Sequence, residues 1–406
     1  MKRYLAIAFA AFATIPTLAA CGSDPAAEPD VCASEPVDRF KELMVIDEAV
    51  TSDVRAKNGA AGSWSFRFLV ENMAPPGMDT STFVLEWLTE WDAVKQINGF
   101  PADRPNELRG STLVDRIICP WLKQTQSNGC DAKCGVCAER KLDMARAPFR
   151  LIAISNRLDE RETNPGAPQG EGRLLFGLTD GPADDPASPP LPMTLIFEYL
   201  LHEGKSLQEW ASMWHALGRN ANFDEAFRAQ LQQVTDSFTK RGARPGGVNG
   251  SALNQLRSNE SALNWIWQLR EFAIMPDGRL KQRSVRNTPG EALNGSPQLA
   301  TWVRENAELV RTGKYQIPVG FQAPTADALL FRWRLPGVDE PTRVAFSTAT
   351  CSGCHTIDKP RIDTAFHISP FRTGTDKLSR FVYDPAGGPD ELSRRADGLR
   401  KIVCSR

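Results

Sequence analysis

The chain has 406 residues, with 48 Lys and Arg against 49 Asp and Glu, so its net charge is −1 with the two signs mixed throughout. That balance leaves no basic footprint for nucleic acid, and four histidines are too few for a multihaem protein with paired imidazoles on every iron. A content of 41% hydrophobic and 24% charged residues is that of a globular chain, long enough here for two or three domains.

Residues 1–21 read as a targeting segment. Lys2 and Arg3 precede an apolar run from Tyr4 to Thr17, and Leu18-Ala19-Ala20-Cys21 follows. A charged start, a short apolar core and small residues before a cleavage point give the order of a secretory signal peptide. The run is too short to span a bilayer. Its ending resembles the lipobox of bacterial lipoproteins. The resemblance implies acylation of Cys21 as the mature N-terminus and, with Gly22 and Ser23 in place of a retention aspartate, attachment at the outer membrane. Several acyl chains on one cysteine anchor stably, at about 0.8 kcal/mol per buried methylene. Residues 22–38 are small, acidic and Pro-rich, a composition that fills no core and reads as a flexible tether.

Export places the remaining cysteines where thiols oxidise. Apart from Cys21, Cys351 and Cys354, these are Cys32, Cys119, Cys130, Cys134, Cys137 and Cys404. They suffice for three disulfides, whose pairing the spacing leaves open. Four fall in 119–137 around the turn-prone Ser127-Asn128-Gly129, which reads as a disulfide-stapled loop rather than a metal site, because no fourth close ligand is dictated. Cys134-Gly135-Val136-Cys137 is followed by Ala138 and lacks the histidine of a haem site.

The stretch 39–340 carries both helix and strand patterns. Phe83, Val84, Trp87, Leu88, Trp91 and Val94 make a helical stripe entered from Asp79-Thr80-Ser81. Ser206 and Glu209 form a capping-box pattern ahead of Leu207, Trp210, Trp214 and Leu217. Phe223, Phe227, Leu231, Val234 and Phe238 make the next stripe. Ser296-Pro297 opens a fourth helix through Leu299, Trp302, Val303, Leu309 and Val310, stopped by Gly313. Strands are expected at 149–155, 173–178, 193–199 and 269–275, the last joined to 280–286 across Asp277-Gly278 as a hairpin. The order of elements predicts an α+β fold with a mixed or antiparallel sheet and packed helices. Polar runs at 155–161, 170–173, 248–260 and 267–272 read either as a satisfied network of Arg–carboxylate pairs or as an Arg/Asn/Glu pocket for an anionic ligand. His215, beside a core stripe, reads as a buried hydrogen-bonded histidine.

The most specific signal lies in 341–406. Cys351-Ser352-Gly353-Cys354-His355 has the C-x-x-C-H spacing of a c-type haem attachment site. On one helical turn, residues three and four apart share a face, so both thiols and the imidazole reach one macrocycle. Cys351 and Cys354 then form thioethers, and His355 is the proximal iron ligand. No methionine follows Met275, so His367 is the first choice for the sixth ligand, ahead of a five-coordinate or Lys-capped iron. Rival uses of the motif are a plain disulfide, a redox dithiol, or zinc held by Cys351, Cys354, His355 and His367. A last helix is expected from Pro389 through Leu392, Ala396, Leu399 and Val403, interrupted at Gly398.

The motif, the Val344 and Phe346 lead-in and that last helix make the segment resemble a small, mostly α cytochrome c-like module. The whole chain is similar to uncharacterised bacterial lipoproteins that end in such a segment, which implies localisation rather than activity. The expected reading is a membrane-tethered, exported protein with one covalent haem c and an unknown redox partner at the cell envelope. The alternatives are a lipoprotein that binds a ligand through its middle domain, with a structural C-x-x-C disulfide, and a haem-dependent oxidoreductase.

Overall fold

The computed structural model describes residues 36–94, 96–102, 113–125, 128–161, 168–202, 204–260, 267–327, 332–355 and 366–405. The targeting segment, Cys21 and Cys32 therefore lie outside the described residues, as does most of the tether. One antiparallel sheet organises the rest. Its strands are β1 (Met44–Val45), β2 (Phe149–Arg157), β3 (Glu171–Thr179), β4 (Pro190–Leu200), β5 (Leu253–Glu260), β6 (Gln268–Ile274), β7 (Leu280–Arg283) and β8 (Ala326–Asp327). They run β1-β2-β3-β4-β5-β6-β8, with β7 also on β6, and the class is α+β as expected. The β6–β7 hairpin turns at Asp277-Gly278, where Gly278 takes φ of 82°.

Strand alternation gives the sheet two unlike faces. Phe149, Phe176, Phe197, Leu256 and Phe272 point to one side. There they meet α1 (Phe66–Met73) and α2 (Thr80–Ala93). Phe66 packs 4.6 Å from Phe149 and 6.0 Å from Phe197, and Trp91 lies 4.4 Å from Phe272, ring centre to ring centre. α2 starts where its sequence says, with Asp79 accepting from Thr82 N. α3 (Leu207–His215) has the full capping box, and α4 (Glu225–Thr239) carries the Phe227–Phe238 stripe. The helix expected at Pro297 breaks at Asn306 into α5 (Pro297–Glu305) and α6 (Ala307–Arg311). No described helix is long and apolar enough to cross a membrane.

The other face of the sheet carries the C-terminal part of the chain. α7 (Glu340–Ala349) sits in a small cluster with α5 and α6 through Phe346, Leu299, Val303 and Trp333. α8 is the single turn Cys351–Cys354, and α9 runs Glu391–Cys404 without a break at Gly398. Leu392, Ala396, Leu399 and Ile402 of α9 join the main core together with Ile368, Leu378 and Val382. Gly177 on β3 lets this layer settle: a Cβ there would stand 2.9 Å from Pro370. The stapled loop is present, with disulfides Cys119–Cys134 and Cys130–Cys137, and Cys404 is disulfide-bonded as well.

Candidate cofactor site

The motif is held from both ends. α7 is capped by Asp339 and stops at Thr350, whose extended backbone starts a new turn. Thr350 Oγ1 accepts from Gly353 N at 2.9 Å and from Trp333 Nε1 at 3.2 Å. Gly353 is required by this fold-back, because a Cβ would lie 2.1 Å from the Ser347 carbonyl oxygen. Cys351 N donates to Thr288 Oγ1 at 3.2 Å. His355 follows as the end residue of the turn, its ring stacked on Trp267 at 3.8 Å and 20°. Trp267 is 4% exposed, and its indole N–H has no hydrogen-bond partner.

His367 stands across from the motif on a loop closed by the Ile368–Leu378 bridge. Its main chain accepts from Ser379 N at 2.9 Å, and its Nδ1 lies 3.2 Å from Ser379 Oγ. That second bond leaves Nε2 facing the motif, 3.6 Å from Cys354 Sγ. The rings of His355 and His367 are 4.7 Å apart. Metal-binding histidines are typically oriented by such a bond on the far nitrogen.

Cys351, Cys354, His355 and His367 line one cavity of about 260 Å³ between the C-terminal layer and the sheet. Its floor is the charged face of the sheet. Leu175, Ile196 and Leu269 share it with Arg173, Glu198, Arg257 and Asn259. The far wall adds Phe366, Phe381, Glu391 and Arg395. The polar runs in the sequence are thus both a satisfied network and the floor of a pocket. Fully buried Glu198 accepts from Gln255 and pairs with Arg257 (3.4 Å) and Arg173 (3.5 Å). Glu271 takes Arg257 at 3.0 Å and Arg283 at 2.6 Å. Burial pushes the Glu198 carboxyl up from its ordinary value despite these partners. Burial pushes Glu391 the same way, yet Arg157 and Arg395 outweigh it and hold the carboxyl down to about 2.

Two rival uses of the motif find little in this geometry. The two cysteines carry no disulfide, whereas the stapled loop is fully paired. Burial raises the Cys351 thiol above its ordinary value against the pull of Arg257. Among the described residues, the only three metal-type donor groups within 4.8 Å of one another are Cys130, Cys134 and Cys137, all in disulfides. The donor types are those of a haem site: two thiols one turn apart, an adjacent imidazole and a second imidazole opposite, in a cavity whose walls mix apolar and charged side chains. The rings of His355 and His367, 4.7 Å apart, stand closer than two imidazoles bound to one metal can, so His367 would have to draw back from the motif to serve as a ligand.

The sequence points to Cys351, Cys354, His355 and His367, and holds Trp267 only as the start of a polar run; Glu198, Glu391, Arg395 and Ser379 carry no such signal. Only the alternation in 253–260 could have shown the floor, and there polar residues occupy both faces. His215 is buried on Glu42, with Nδ1 2.7 Å from Oε2, outside the site. No protein-family model, curated protein or solved structure matches the chain.

Proposed function

We propose that this is an exported protein, tethered to the membrane through Cys21, that carries one covalent c-type haem and transfers electrons to a partner at the cell envelope. The observation that carries the reading is the meeting of unbridged Cys351 and Cys354, His355, and an oriented His367 Nε2 in one cavity. When bound, the group supplies one-electron iron chemistry, with its potential set by axial ligands and burial. The chain does the rest. Cys351 and Cys354 hold the macrocycle edge, Trp267 fixes the plane of His355, and Ser379 aims His367. The sheet floor keeps bulk water out, and its arginines offset negative charge in the cavity. The residues 1–21 that support the tether are read from sequence alone.

The test is an absorption spectrum of the full chain, produced in a host that matures c-type cytochromes. The reading expects a reduced α-band at the c-type position that survives acid-acetone extraction and disappears in the Cys351→Ala/Cys354→Ala variant. His367→Ala is expected to keep the band and change spin state and potential. A colourless wild-type protein would refute the reading, and an unchanged spectrum for His367→Ala would remove that residue as a ligand.

A further inference from the structure

Cys354 and His367 meet at the cavity in the manner of a nucleophile and its base. Cys354 Sγ lies 3.6 Å from His367 Nε2, within the longer reach that sulfur gives a hydrogen bond. Both side chains are half-buried and line the same cavity of about 260 Å³. On the far side of the ring, His367 Nδ1 lies 3.2 Å from Ser379 Oγ. Donation from Nδ1–H to that oxygen puts the lone pair on Nε2, the tautomer that can take a thiol proton. Ser379 is fully buried, and its amide donates to the His367 carbonyl at 2.9 Å, so the orienting group is itself fixed. The imidazole also packs against the rings of His355 at 4.7 Å and Phe381 at 5.1 Å. A thiol, an imidazole within its reach and a third group holding that imidazole are the parts of an activated cysteine. Cys351, one turn earlier, lies beside Thr288 and Arg257 instead, and burial pushes its thiol up.

We propose that, in the chain before anything is attached to it, Cys354 is a nucleophilic thiol with His367 as its general base and Ser379 as the residue that positions the base. The substrate class is a conjugated alkene. Nε2 takes the thiol proton, the sulfur bonds one alkene carbon, and the proton passes from Nε2 to the other. The sum is addition of S–H across C=C, with no oxidant, reductant or leaving group. The identity of the alkene rests on the haem reading, in which it is a vinyl group of the porphyrin and Cys354 reacts ahead of Cys351. Consumption of the thiol then frees His367 to draw back, as the closeness of the two imidazole rings requires of an iron ligand.

The probe is N-ethylmaleimide, an alkene that takes a thiol by the same addition. The full chain, exported in a host that does not mature c-type cytochromes, is labelled at about pH 7, and each cysteine is followed by peptide mass. A free thiol is only a few per cent thiolate there. That leaves room for a thiol beside an imidazole, Cys354, to label about tenfold faster than Cys351. His367→Ala should remove that excess without abolishing labelling, and added imidazole should restore part of it at Cys354 and none at Cys351. Ser379→Ala should lower the excess, while Ser379→Thr, which keeps the hydroxyl, should retain it. Equal rates at the two thiols, or an excess that survives His367→Ala, overturn the proposal. A wild-type chain in which neither thiol takes label does so too. Should His367→Ala unfold, seen as fast labelling of Cys351, the wild-type ratio and the two Ser379 variants still decide. Failure of the haem reading registers separately, as a missing α-band in a maturing host. It removes the vinyl group as substrate and leaves the thiol–imidazole pair standing.

Discussion

The two faces of the central sheet are buried by opposite means. On one, Phe66, Trp87 and Trp91 press aromatic rings onto Phe149, Phe197 and Phe272. On the other, Arg173, Glu198, Arg257 and Glu271 lie in rows across neighbouring strands, and the C-terminal layer covers them. Aromatic burial is non-directional and tolerant of pH. Buried ion pairs contribute little net stability, yet removing one partner strands the other. A protein that needed only a stable sheet would gain by making both faces apolar. The charged face is where the cavity lies, which ties its cost to the site rather than to the fold.

That contrast can be broken from either side. Trp87→Ala on the aromatic face should cost about 3–5 kcal/mol, measured by denaturant unfolding, while the potential of the folded protein stays unchanged. On the charged face, Glu271→Gln should cost about 3 kcal/mol by leaving Arg257 and Arg283 short of a counter-ion. Unlike the first, it should also move the potential. An equal redox effect from the two substitutions would erase the distinction.

Acid should act on the charged face alone. Glu171 and Glu391 are lowered from the ordinary 4.5 to about 2, each by neighbouring arginines that overcome burial. A carboxyl with a lowered folded value contributes stability that is fully present above its unfolded value and lost as pH falls through the folded one. The loss therefore runs from about pH 5 down to pH 2, on the order of 3 kcal/mol for each group. Hydrogen exchange at pH 3 should show α9 and the 366–379 loop opening before α2, and the reverse order would contradict the account. The smallest effect is a gain. Gly398 sits inside α9 with open space where a Cβ would go, so Gly398→Ala should add roughly 0.5–1 kcal/mol without touching the spectrum.

How far the sequence could be read follows from the same contrast. The aromatic face announces itself: Phe83, Val84, Trp87, Leu88 and Trp91 repeat at helical spacing, and the middles of β2, β3 and β4 are short apolar runs at 151–154, 174–176 and 195–197. β5 is not legible because Gln255, Arg257 and Asn259 lie on the charged face while Ser258 and Glu260 lie opposite, so no hydrophobic alternation survives. The motif was legible because its spacing is local. Arg395, Glu391 and Glu198 were not, since only the sheet and α9 bring residues so distant in sequence to one wall. Gly398 misled in the other direction, because tertiary packing of Leu392, Leu399 and Ile402 carries the helix through it.

The most direct test of the central claim is the intact mass of the protein made in a host that matures c-type cytochromes. The account predicts the mass of the processed chain plus one haem, resistant to denaturation, and its loss when Cys351 and Cys354 are both replaced by alanine. A wild-type mass without that addition, or an addition that persists in the double variant, would contradict it.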